Sequence, residues 1–343
     1  MSEPVEYGTM TRDRRIVTWM AAEGLMVLAV LVLLVAPITA KAQPAGKVWR
    51  IGYLTPSDIP RETLLAAFRE LGYVEGQNAR FEVRSAQNDF DRLPELATEL
   101  VRASVDIIVA VSPPAIVAAR RATTTIPIVM AFWGGEGLIE SGVVASFSRP
   151  GGNVTGVYML ADELDVKRFE LLLEAVPKAR TIAMLDPGGG WDISRLTIDM
   201  RQIAASHGAR FLISDAPAAD GYTATFAAMS KARVEAVLVP SFPRFYREQR
   251  LIVEAAAKYQ IPAIYEWGEM ARNGGLMAYG PVIAELNRRV ATYVDKILKG
   301  AKPGTLPVEQ PTKFELVVNL QTARALHLTI PQSLMLRADE VVK

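Results

Sequence analysis

From Lys47 to the C-terminus, short runs rich in β-branched and aromatic residues alternate with amphipathic stretches of helical period. That alternation restricts the chain to α/β architectures whose parallel sheets are covered by helices on both faces. V-W-R-I-G-Y-L-T (48–55) reads as the first strand, followed by a Leu- and Ala-rich helix ending near Gly72. R-F-E-V-R-S (80–85), a helix from Asp91 to Ala103 and the strand V-D-I-I-V-A-V-S (105–112) come next. Asp91 is expected to be the cap of its helix, its side chain accepting from the free amides of the first turn. Pro113 and Pro114 open another helix, and I-P-I-V-M-A-F-W (126–133) is the following strand. A glycine-rich connection and a further helix then lead to the turn R-P-G-G-N (149–153) and the strand V-T-G-V-Y-M-L (154–160).

The pattern starts again with a helix from Glu163 to Val176 and the strand T-I-A-M-L-D (181–186). F-L-I-S (211–214), A-V-L-V-P-S (236–241), I-P-A-I-Y-E-W (261–267) and G-L-M-A-Y-G (275–280) continue it. A-T-T-T-I-P-I-V-M-A-F-W (122–133) and A-K-Y-Q-I-P-A-I-Y-E-W (257–267) each leave a helix, enter a strand through Ile-Pro and finish on Trp, as two similarly built lobes would. After a helix from Val282 to Leu298 and the Pro/Gly-rich G-A-K-P-G-T-L-P (300–307), the strand F-E-L-V-V-N (314–319) begins a third excursion. The chain therefore crosses between lobes more than once. The expected division is 48–158 with 281–308 in one lobe, and 159–280 with 309–343 in the other.

Residues 12–42 read as an export signal. Arg12, Arg14 and Arg15 form a basic start, Leu25 to Val35 an uncharged apolar run, and Ala40-Lys41-Ala42 a site after which a signal peptidase could cut. An uncleaved anchor is the competing reading. The apolar run falls short of the roughly 20 residues that span a bilayer, and Glu23 blocks its extension upstream. Arg14-Arg15 leaves twin-arginine export open beside the general route. With no Cys in the chain there is no lipid acceptor at a mature N-terminus, no disulfide, no catalytic thiol and no thiolate metal site. Removing residues 1–42 takes away four acidic and four basic side chains, so the net charge stays at +1. Near-neutrality argues against a nucleic-acid binder, which needs a basic face. A chain of 343 residues, half of them apolar, is long enough for two packed domains.

Ligands of open parallel sheets bind beyond the carboxyl ends of strands, where helix N-termini present free amides. The residues at those ends are Thr55, Ser57, Ser112, Pro113, Trp133 with Glu136, Asp186 with Trp191, Ser241 with Phe242, Glu266 with Trp267, and Tyr279. Three of the five Trp (Trp133, Trp191 and Trp267) fall there, as walls of a binding cleft or as packing at a lobe rim. Asp186 and Glu266 could each receive a ligand amine or cap the helix that follows, with Glu266 better placed for a ligand between Tyr265 and Trp267. Ser112 could cap its helix, reach a ligand carboxylate, or both.

Signatures of catalysis are missing. The sequence has no G-x-S-x-G, no G-x-x-x-x-G-K-[ST], no G-x-G-x-x-G after a strand and no H-E-x-x-H. Gly188-Gly189-Gly190 lacks the Lys and Ser/Thr of a phosphate loop. Of the two His, His207 fits a helix C-terminus and His327 lies far from any strand end. No cofactor and no metal site is expected.

R-I-G-Y-L (50–54), L-L-A-A-F-R-E-L-G-Y-V-E-G-Q-N (64–78), T-T-I-P-I-V (124–129), R-P-G-G-N-V-T-G (149–156), A-I-Y-E-W (263–267) and L-P-V-E-Q-P-T-K-F-E-L-V-V-N (306–319) resemble the substrate-binding proteins of a large ABC-importer family with tryptophan-binding members. The resemblance covers nearly all of residues 48–340. It implies a type I periplasmic-binding-protein fold: two Rossmann-like lobes with parallel sheets, joined by a multi-strand hinge, with the ligand cleft between them. Where that family carries an acidic Asp-Pro loop after the fourth strand, this chain has W-G-G-E-G-L-I-E (133–140), a departure at one expected ligand contact. The expectation is a monomeric periplasmic receptor that closes on a small organic ligand, an amino acid or an aromatic or organic acid, and delivers it to a membrane permease. Aromatic residues at the strand ends favour such ligands over a sugar phosphate or a metal. An exported hydrolase and a ligand-sensing module for a membrane receptor are the rivals, the first disfavoured by the missing nucleophile and base.

Overall fold

The computed structural model describes residues 47–58, 61–134, 137–186, 188, 193–216 and 221–343, with Met1; the expected export segment lies outside them. Two sheets organise the described chain. The first is parallel throughout, in the order β2-β1-β3-β4-β5, from β1 (Trp49–Thr55), β2 (Ala79–Ser85), β3 (Ile107–Val111), β4 (Ile128–Trp133) and β5 (Val154–Tyr158). The second has the order β12-β11-β10-β9-β8-β6-β7. Its strands are β6 (Thr181–Asp186), β7 (Arg210–Asp215), β8 (Ala236–Leu238), β9 (Ala263–Tyr265), β10 (Met277–Pro281), β11 (Phe314–Asn319) and β12 (Glu340–Val342). One pair, β10 with β11, is antiparallel, so the second sheet is mixed at that junction. β3 is buried along its whole length, as a strand covered on both faces must be.

The helices are α1 (Glu62–Glu70), α2 (Leu93–Arg102), α3 (Ser112–Ala122), α4 (Ala161–Ala175), α5 (Ser194–Ser206), α6 (Tyr222–Lys231), α7 (Pro243–Arg247), α8 (Gln249–Lys258), α9 (Gly268–Arg272), α10 (Ile283–Leu298), α11 (Leu320–Ala325) and α12 (Gln332–Arg337). α10 shows how sequence period becomes packing: Ile283, Leu286, Val290, Val294 and Ile297 recur at helical spacing and are buried. Although it follows β10 of the second sheet, α10 packs on α1, β3, β4 and β5 of the first. Asn287 Nδ2 donates to Thr63 Oγ1 at 2.6 Å and the Tyr73 hydroxyl to Asp295 at 3.0 Å. Beyond it, the Glu309 amide donates to the Gly156 carbonyl at 3.0 Å and Glu309 pairs with Val157 beside β5. The chain thus passes between the sheets three times, after Tyr158, after Pro281 and after Glu309.

Two local expectations are corrected. Asp91 does not cap α2: a 3₁₀ turn, Phe90–Arg92, intervenes, and it is the Asp89 side chain that accepts from the Asp91 amide. The helix starts later because Pro94, within its first two positions, has no amide to satisfy and a ring preset for the first turn. Among the described residues from 137 to 153 the chain forms turns and no helix. Gly137, Gly142 and Gly151 there all have positive φ, which an α-helix does not accept.

Candidate functional site

A cleft of about 750 Å³, open solvent at its mouth included, lies where the strand ends of the two sheets face one another. From the first sheet's side come Tyr53 of β1, Thr63 and Leu64 of α1, Val111, Ser112 and Pro113 at the β3–α3 junction, Phe132 of β4, and Ile283 and Asn287 of α10. From the second come Ser241, Phe242, Pro243 and Tyr246 beyond β8, and Glu266 and Trp267 beyond β9. Gly134, Met159 and Ala161 complete the lining.

Backbone irregularities aim these side chains. Phe132 has a φ of +65° within a break of the β4–β5 register, a bulge that redirects the strand end. The bulge is possible because β5 has Gly156 opposite: a Cβ there would sit 2.3 Å from the Met130 carbonyl oxygen. Gly280 does the same for the other wall, since a Cβ would lie 2.2 Å from the Glu266 carbonyl oxygen. Rings from both sides then meet. Trp267 packs edge-on against Tyr246 at 5.5 Å and Phe132 at 6.5 Å between centroids, and Phe242 lies 6.5 Å from Phe90. One buried apolar cluster runs from Ile51, Val109 and Val129 through Met159, Phe242 and Trp267 to Tyr265 and Ala278.

Beneath the second wall lies a buried polar chain. Arg168 of α4, fully buried, donates from Nε (2.9 Å) and Nη2 (2.6 Å) to Asp165 Oδ1 and from Nη1 to the Tyr279 carbonyl at 2.9 Å. Asp165 also accepts from the Ser241 amide at 3.3 Å, and the Ser241 hydroxyl donates to Glu266 Oε1 at 2.6 Å. Glu266 is 3% exposed and lines the cleft. Burial pushes its pKa from 4.5 to about 7, against the pull of the Arg168 guanidinium and the Ser241 hydroxyl, with a smaller push from Asp165. Burial likewise pushes the Asp165 carboxyl up, opposed by its own Arg168 partner. On the cleft wall the Tyr246 hydroxyl is pushed up to about 12 by burial and the nearby Glu269 and Glu62.

Of the residues expected at strand ends, Ser112, Pro113, Phe242, Glu266 and Trp267 line the cleft, as does Ser241. Thr55 and Ser57 are buried at the end of β1 behind the lining, Thr55 Oγ1 donating to the Ser57 carbonyl at 2.7 Å. Asp186 lies outside the lining and caps no helix: it closes a tight turn by accepting from the Gly188 amide at 2.8 Å, and α5 begins well beyond it. Tyr279 also lies outside it, its ring stacked on Phe314 at 6.1 Å. The Trp133 side chain, Glu136 and Trp191 fall outside the described residues. Ser112 does not cap α3. It sits inside the helix start with a φ of +71°, and its buried hydroxyl finds no partner in the structure. Strand-end reasoning missed Tyr53, Thr63, Phe132, Tyr246 and Asn287. For Tyr246 a signal was present, since it stands four residues after Phe242 and so on the same helical face.

Among the described residues no helix is long and apolar enough to cross a membrane, and no three His, Asp or Glu side chains are grouped as metal ligands. The family of ABC transporter substrate binding proteins matches residues 57–342. A tyrosine-binding protein of Clostridioides difficile (strain R20291) is 25% identical over 272 residues, covering 79% of this chain and 77% of that protein. An ABC domain in complex with L-Trp from Streptococcus pneumonia superposes with a TM-score of 0.73 at 23% identity, over 86% of this chain and 99% of that one. A conserved domain protein from Vibrio cholerae O1 biovar eltor does so at 0.75 and 24%, over 86% and 100%. These likenesses establish the fold as that of the type I periplasmic binding proteins, with two α/β lobes.

Proposed function

This chain belongs to the ABC transporter substrate binding protein family, a family of solute-binding proteins rather than enzymes, and we propose that it is the periplasmic receptor of an importer. In this reading it closes on a small organic ligand with an aromatic or apolar body, an amino acid or an aromatic or organic acid, and presents it to a membrane permease. The observation that carries the reading is the cleft walled by Phe132 of one lobe and by Tyr246 and Trp267 of the other, with few polar groups among them. A tyrosine-binding relative and a fold neighbour holding L-Trp support the ligand class. The ligand-binding residues are Ser112, Pro113, Phe242, Glu266 and Trp267, joined by Tyr53, Phe132, Tyr246 and Asn287. The lobes divide as 48–158 with 281–308 and 159–280 with 309–343, and the three strand crossings between them form the hinge. The mature receptor is a monomer starting at Gln43.

Only the closed state touches a ligand from both walls, so ligand shifts the population towards closure. A thermal-shift screen of amino acids and aromatic acids tests the class. A ligand at 100 times its dissociation constant adds about 2.7 kcal/mol. Small-angle scattering with the best binder should show a smaller radius of gyration than without it, and an unchanged radius would refute the two-lobe trap.

A further inference from the structure

We propose that the cleft recognises its ligand by an ammonium head that docks on the Glu266 carboxylate and displaces a proton from it on entry. The inference rests on the receptor reading and narrows it: an acid without an amine is not the substrate.

The lining contains one carboxylate, Glu266, and no Lys or Arg among the described residues. The hydrogen bond that Glu266 makes is at Oε1, from Ser241, which leaves Oε2 for a ligand. The cation that acts on Glu266, Arg168, is fully buried and already hydrogen-bonded to Asp165 at 2.6 Å, so it is no dedicated counter-ion for Glu266. A carboxylate this enclosed is poorly solvated and takes up a proton until a cation arrives; burial pushes its pKa to about 7, in agreement. The other charged or titratable groups around it do not supply that cation. Tyr246 and Tyr265, both pushed up by burial, are neutral at physiological pH, and Glu269 of α9 is a further acid. Glu315 of β11 is paired with Arg272 at 2.6 Å. On the first wall stand Tyr53, Glu62 at the start of α1, and Arg61, whose buried Nη1 finds no partner in the structure and whose charge acts on the Tyr53 hydroxyl, whereas the cation that acts on Glu266 is Arg168. Trp267 and Tyr246 belong to the same wall, and the face of an aromatic ring favours a cation over an anion.

The step balances simply. Glu266 gives its proton to the buffer, and the ammonium, already charged, forms the ion pair in its place. Above the free-cleft pKa no proton need leave; below it, each binding event must expel one. Affinity is therefore full at pH 8 and weaker by about tenfold at pH 6, and near pH 6.5 binding releases about three-quarters of a proton.

The ammonium could come from a free amine or from an amino acid. Titration calorimetry on the full chain with tryptamine, tryptophan and indole-3-acetate, each in two buffers of different ionisation enthalpy, separates these sources. We expect tryptamine, tryptophan or both to bind with proton release, the tighter one naming the source, and indole-3-acetate to bind at least a hundredfold more weakly. Glu266→Gln should abolish the release and weaken binding at least tenfold, with circular dichroism confirming that it folds. Binding of either ammonium compound without proton release, or of the acid as tightly, overturns the proposal. If none of the three binds, the proposal falls as well, while the receptor reading is still judged by closure with whichever compound raises the melting temperature.

Discussion

Replacing Glu266 by Gln tests the electrostatics of the cleft without any ligand. The amide keeps an oxygen to accept from Ser241 and fills nearly the same volume, but it cannot ionise. In the folded protein the carboxyl pKa is raised from 4.5 to about 7. Each tenfold change in proton affinity is worth about 1.4 kcal/mol, so the shift amounts to about 3 kcal/mol. The sign follows from linkage. A group whose folded pKa lies above its unfolded one contributes fully below the unfolded value, and that contribution is lost as pH rises through the folded value. Wild type should therefore lose about 3 kcal/mol of stability relative to Glu266→Gln between pH 4.5 and pH 8. The two proteins should be nearly equally stable at the acid end, and the variant more stable at pH 8. Urea denaturation of both at several pH values measures this, because the other titrating groups cancel in the difference. A variant less stable than wild type at pH 8, or a difference independent of pH, would refute the reasoning. Either outcome would mean that Glu266 ionises in the empty cleft without penalty.

Three further outcomes are expected. Trp267→Ala should weaken binding of the best ligand by about 2 kcal/mol or more, as central aromatic anchors do. Its stability cost should stay below the 3–5 kcal/mol of a core Trp, because one neighbouring ring, Phe132, belongs to the other lobe; a full core loss with unchanged affinity would make it a packing residue only. Arg168→Met should cost about 3–5 kcal/mol at neutral pH by leaving Asp165 buried and unpaired. That cost should shrink as pH falls, because a protonated Asp165 needs no guanidinium partner, and urea midpoints at pH 5 and 8 decide. N-terminal sequencing of the protein from its native host should begin at Gln43, and an intact Met1 on a membrane-bound product would contradict cleavage.

The alternation of runs was enough to read both sheets, because strand and helix periods write burial directly into the order of residues. It failed where geometry depends on one backbone angle. The glycines at positive φ between 137 and 151 turn a stretch of helical composition into loops, and the antiparallel partnership of β10 with β11 arises only after the chain has crossed lobes for the third time. Reading strand ends found Ser112, Phe242, Glu266 and Trp267 because β3, β8 and β9 end at the cleft. It also selected Asp186 and Tyr279, whose strands β6 and β10 flank the β8–β9 pair, since a sequence does not say which strand ends face the opposite lobe. Phe132 was hidden by a bulge and Asn287 by the return of α10 to the first lobe. Arg168 was the least legible. In sequence it is one more charged residue on a helix that carries Asp165 three positions earlier, a pairing usually found in solvent. In the fold the same pair is buried beneath Ser241 and Glu266, and a guanidinium already hydrogen-bonded to Asp165 offers Glu266 only a partial counter-charge against the burial that pushes its carboxyl up.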